Sequence, residues 1–125
     1  MLKDGVVTFS AQSHPAEGNT ALVLCQSEQA EKFSTDASIQ IRIKGFGQAR
    51  VELAMMPRAI VPGPQRALQQ SGIDISNIKC VKTHNPFAVN DIVFSSECGV
   101  DLQQMNNYGC SPVWGHPQGP RRYVK

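Results

Sequence analysis

The placement of glycine and proline limits the folds open to this chain more than any other feature. Its ten glycines and eight prolines punctuate periodic segments instead of interrupting them. The segments so divided read as strands and helices in alternation, so an α/β fold is expected. Thr20 to Cys25 holds Ala21, Leu22, Val23 and Leu24 in succession, the run of a strand covered on both faces. Ser27 is then expected to cap a short helix through Phe33, with Glu28 and Glu31 complementing its dipole. Ile39, Ile41 and Ile43 alternate with Gln40, Arg42 and Lys44, which predicts a half-buried strand ending at Gly45. Met55 and Met56 in the following loop read as fillers of apolar gaps. Pro62 to Ser71 opens with two prolines and stops at Gly72, a helix signature. Ile78 to Lys82 predicts a further strand, running into His84, Asn85, Pro86 and Phe87. Asn85 as cap and Pro86 as first helical residue would start a helix whose apolar stripe is Val89, Ile92, Val93 and Ser96, ending before Gly99. Strand-to-helix junctions in open α/β sheets are common places for sites, and His84 and Asn85 stand at one.

A chain of 125 residues with 41% hydrophobic and 18% charged positions fits one globular domain and excludes disorder and coiled coil. No apolar run approaches the length of a membrane helix, and Met1 to Thr8 lacks the pattern of a secretory signal, so a cytoplasmic protein with no membrane partner is expected. The net charge of +2 is too small to advertise a nucleic-acid surface, although Arg121, Arg122 and Lys125 cluster. Cys25, Cys80, Cys98 and Cys110 are expected to be reduced and buried. A zinc site would have to pair Cys80 with His84 and recruit Cys98, Cys110 or His116; their spacing does not indicate one, and no metal is expected.

Three blocks then point the same way. Gly5-Val6-Val7-Thr8 leads through Ser13 and Gly18 into Ala21–Leu24; His84-Asn85-Pro86-Phe87 follows the third predicted strand; and Gly109 leads to Gly115-His116-Pro117-Gln118-Gly119. With the Pro62–Gly72 helix, this ordered set resembles the C-terminal half of a thiolase, the acyl-CoA acetyltransferase family, from Lys3 to Pro120. The resemblance implies a thiolase-like layered α-β-α arrangement with a mixed sheet, incomplete here. It divides the chain into 1–36, the end of an N-terminal-domain-like segment, 37–120, a partial C-terminal domain, and 121–125, an unmatched tail. It also implies that His116 activates the nucleophile and binds the oxyanion, and that His84 holds a water in the same hole. Ser13 and Phe87 would be substrate-binding, Ser13 against the pantetheine arm of coenzyme A. Acyl-CoA and coenzyme A would be substrates, and no cofactor is implied.

The chemistry has a physical logic of its own. His116 precedes Pro117, which biases its backbone to extended geometry and presents the ring from a loop. Pro117 is suited to open a helix, whose N-terminal dipole would favour the neutral imidazole. Thioester chemistry needs a base to make a thiolate and fixed donors for the developing oxyanion. A lone histidine is more often structural than catalytic, so the reading rests on the blocks together. His14 fits no catalytic position and is expected in an exposed loop. Cys110, at a family glycine position, reads as a small buried residue, and Trp114 as a packing residue.

The chain also departs from the family pattern. It contains no C-x-G motif, and the nucleophilic cysteine belongs to an N-terminal half. A helix from Pro117 has no room to extend before Pro120. The expectation is a partial thiolase, inactive alone, whose uncovered sheet favours homo-oligomers or association with a separately encoded N-terminal half. The alternatives are a non-catalytic module that binds coenzyme A or other proteins, and an inert remnant. Acyl-chain length, and whether the reaction is thiolysis or Claisen condensation, stay open.

Overall fold

The computed structural model describes residues 4–117. Its regular elements are β1 (Pro15–Ala16), α1 (Ser27–Phe33), α2 (Pro62–Ser71), α3 (Ala88–Cys98), α4 (Ser111–Trp114) and β2 (His116–Pro117), joined by short 3-10 turns. The helix α2 has the bounds its prolines and glycine predict, and Gly72 closes it at φ 66°, a left-handed conformation that costs glycine little. Gly99 ends α3 in the same way at φ 69°. Two helix starts differ from expectation. Gln26, not Ser27, is the N-cap of α1. Phe87, not Asn85, is the N-cap of α3: the Asn90 side-chain oxygen accepts from the Phe87 N–H at 3.1 Å. Asn85 is unavailable as a cap because its amide is committed elsewhere in the site.

The expected strands are largely unformed. Among the described residues the only sheet is β1 beside β2, parallel, with Pro15 opposite His116 and Ala16 opposite Pro117. The segments 20–25 and 39–45 carry no strand, and 78–82 contributes a single bridge from Val81 to Met105. Alternation identifies the face that a neighbour would cover, but a strand also needs the neighbour's N–H and C=O groups. For 20–25 and 39–45 no described segment supplies them, and Leu22 and Ile41 stand 87% and 93% exposed.

The core is small. Val61, Phe94 and Met105 are buried, with Ile60, Ile75, Val81, Val93, Cys98 and Val100 packed around them. The inward face of α3 is set by Asn90 and Phe94, four residues apart, whereas Ile92 of the expected stripe is exposed. Met55 and Met56 are exposed and fill no gap. Residues 45–48 lie along α2, where the Phe46 N–H donates to Gln70 Oε1 at 2.7 Å and Arg66 donates to the Gln48 carbonyl at 2.5 Å. A Cβ at Gly47 would run into the Gly63 carbonyl oxygen, so this approach requires glycine. All four cysteines are free, but the expectation that they are buried fails for Cys25 and Cys80, which are exposed; Cys98 and Cys110 are half-buried. Burial, and then the neighbouring Glu97 charge, push the Cys98 thiol up. No helix among the described residues is long and apolar enough to cross a membrane.

Candidate functional site

His84 and His116, far apart in sequence, meet in space: their ring centroids are 4.7 Å apart and the planes are inclined by 58°. The His116 end is held by backbone. Its N–H donates to the His14 carbonyl at 2.8 Å, the bond that begins the β1–β2 pairing. Gly115 turns the chain into this pairing at φ 91° and is buried; a Cβ there would lie 2.5 Å from the Ala16 Cβ and 2.9 Å from His14 Nε2. His14 is exposed, as its sequence context predicts, and its carbonyl anchors the backbone of His116. The expectation of a helix opening at Pro117 is overturned. Pro117 lies in β2 opposite Ala16, and its lack of an N–H is no loss at a position where the neighbouring His116 supplies the bond. The remainder of that expectation, with Gln118 to Lys125, lies outside the described residues.

The His84 end is held by side chains. Asn85 is 1% exposed. Its Nδ2 donates to Asp91 Oδ2 at 2.5 Å, and its Oδ1 accepts from the Ser111 N–H at 3.2 Å. Asp91 also accepts from the Thr83 hydroxyl and, at 3.0 Å, from Asn106 Nδ2. Asn106 completes the set: its Nδ2 donates to Thr83 Oγ1 and its Oδ1 accepts from the Thr83 N–H. Lys82 donates to the carbonyls of Asn107 and Gly109, both at 2.6 Å, fixing the turn that leads to α4. The resemblance marked His84 and Phe87 but not this cluster, whose members show no periodicity. The Asn between His84 and Pro86 was its one sequence sign, and capping propensity gave that Asn another reading.

Partial burial, and then the His116 charge, hold the His84 imidazole below its ordinary value of 6.5. These neighbours favour the neutral form of the His84 ring. Folded His84 binds fewer protons than unfolded His84 just below pH 6.5, so its share of stability is present above that pH and declines as pH falls through it. An NMR titration of the His84 ring is expected to show a midpoint below 6.5, and His84→Gln is expected to flatten the pH dependence of stability in that range. A midpoint at or above 6.5 would contradict the packing seen around the ring.

Ser13 and Phe87 are brought to the same junction. The Ser13 N–H donates to the Pro86 carbonyl at 2.7 Å, beside an antiparallel bridge between Gln12 and Phe87. Both residues are half-buried. Below His84 opens an apolar groove of about 480 Å³, lined by Lys44, Leu68, Ile75, Val81 and Phe94 among others. Trp114 covers Gly109, where its ring leaves no room for a Cβ, but it remains 71% exposed. Among the described residues no three His, Cys, Asp or Glu side chains gather as a metal site.

Comparison with known proteins adds the family. Residues 37–122 match the family model for the thiolase C-terminal domain. The acetyl-CoA acetyltransferase of Escherichia coli (strain K12) is 29% identical over 117 residues, covering 94% of this chain and 29% of that protein. The crystal structure of the Bacillus anthracis acetyl-CoA acetyltransferase superposes with a TM-score of 0.63 at 22% identity, covering 73% of this chain and 23% of that one. Human mitochondrial 3-ketoacyl-CoA thiolase in complex with CoA gives a TM-score of 0.55 at 22% identity, over 58% and 18% of the two chains. The α/β fold is thus the thiolase fold in incomplete form, and this chain spans less than a third of the length of the curated relatives it matches. The paired histidines lie in a chain that belongs to the thiolase family.

Proposed function

We propose that this chain supplies the histidine half of a site for acyl transfer between acyl-CoA thioesters and coenzyme A. The observation that carries the reading is the 4.7 Å approach of His84 and His116 from separate segments. His116 would take the proton of a cysteine thiol belonging to a complementary thiolase segment, and the thiolate would attack the thioester carbonyl carbon. The resulting imidazolium and a water held by neutral His84 would donate to the oxyanion; donors of this kind are worth about 3–4 kcal/mol each. Collapse of the tetrahedral species would expel the coenzyme A thiolate, which takes up a proton. Ser13 and Phe87, beside the same junction, would meet the pantetheine arm. The human relative solved with CoA supports a ligand of that class.

The complementary segment would also cover Leu22, Val23, Ile39, Ile41 and Ile43, which stand exposed. An apolar surface of this kind favours association over a free monomer.

The purified chain is expected to show no thiolysis of acetoacetyl-CoA above background. Combined with an N-terminal thiolase segment carrying the nucleophilic cysteine, it is expected to gain a rate that His116→Ala lowers by about 10²–10⁴-fold. Turnover by the chain alone, abolished by His116→Ala, would overturn its status as a half-site. A combination with neither turnover nor calorimetric binding of coenzyme A would overturn the function.

A further inference from the structure

We infer that Asn85 and Asp91 are positioning residues that set the separation of the His84 and His116 rings. The inference rests on reading that ring pair as an acyl-transfer site, but its evidence is geometric. Asn85 follows His84 directly and is 1% exposed, so both ends of its amide must be satisfied within the protein. One end donates to Asp91 on the first turn of α3, and the other accepts from the N–H of Ser111, the first residue of α4. From Ser111 the chain runs through α4 and Gly115 to His116. A single buried side chain therefore joins the segment bearing one imidazole to the segment delivering the other. Asp91 fixes the orientation of that amide, because its two oxygens accept from Asn85, Thr83 and Asn106 together. Its acceptors face the amide Nδ2, so a flipped Asn85 would set oxygen against oxygen and nitrogen against the Ser111 N–H.

The two rings are close enough for a direct through-space NMR contact between their carbon-bound protons. In the unaltered chain this contact is expected to be present. Asn85→Leu keeps the volume and removes both hydrogen bonds. Ser111→Pro removes the N–H that donates to Asn85 and leaves the Asn85–Asp91 bond in place, at a first helical position where proline is tolerated and after Cys110, whose φ of −158° and ψ of −180° are already extended. Both variants are expected to lose the contact between the rings and to raise the His84 titration midpoint, while signals from Val61, Phe94 and Met105 stay in place. A purely structural role would move the core signals together with the ring contact. Absence of the contact in the unaltered chain, or its survival in either folded variant, would overturn the assignment. If Asn85→Leu does not fold, Ser111→Pro decides; failure of both to fold would overturn a positioning role in favour of a structural one. The measurement requires no turnover, so a chain inactive in every acyl-transfer assay could still pass it.

Discussion

Phe94→Ala is expected to leave the chain largely unfolded at room temperature. Phe94 is 3% exposed and, among the described residues, shares the core with only two other buried apolar side chains, Val61 at 3% and Met105 at 6%. Phe-to-Ala changes in cores cost about 3–5 kcal/mol, from lost transfer energy and the cavity left behind. Whole domains hold only about 5–15 kcal/mol, and a core of three residues belongs at the low end of that range. The cavity has little chance to collapse, because α3 packs on the Met56–Ile60 turn and the residues around this core belong to different segments. Ile92→Ala on the same helix is the contrasting case: its side chain is 56% exposed, and a shift within about 0.5 kcal/mol is expected. Denaturant titrations followed by circular dichroism would compare the two. Equal midpoints for Phe94→Ala and the unaltered chain would show that α3 is held by something other than this core.

What could be read from the residues alone follows a physical division. Helix α2 was legible to the residue because its signals are local: prolines at the first turn and a glycine whose positive φ ends it. The segment Ile39–Ile43 has an equally clear period, but pairing is not local, and no described segment forms a ladder with it. The positions of His84 and His116 were marked by their motifs, whereas their approach depends on contacts that no spacing encodes. Pro117 shows the limit from the other side. Its fixed φ suits a helix start and an extended segment alike, and the His14 carbonyl, distant in sequence, decides between them. Asn85 carries the same lesson: its propensity points to a cap, and burial between Asp91 and Ser111 turns it into a clamp.

Gly115→Ala is expected to separate the two imidazoles while leaving most of the core intact. At φ 91° and ψ 165° Gly115 occupies a region essentially reserved for glycine, where a Cβ costs about 1–3 kcal/mol. The added methyl would also sit 2.5 Å from the Ala16 Cβ, which has no rotamer to move aside, and 2.9 Å from His14 Nε2. The least costly relief is to give up the pairing of β1 with β2, only two residues on each side, and with it the bond from the His116 N–H to the His14 carbonyl. His116 is then free to leave His84. In the combination proposed above, where His116 would be a reacting group, a displacement of about 1 Å costs about 10²-fold, so the acyl-transfer rate is expected to fall at least that far. Gly99→Ala provides the comparison: its φ of 69° is also positive, but the new methyl would meet open space. It should cost about 1 kcal/mol of stability and leave the ring contact unchanged. The two variants thus separate backbone strain from steric displacement of the site. If Gly115→Ala kept both the contact between the rings and the rate, the strand pairing at His14 could not be what aims His116.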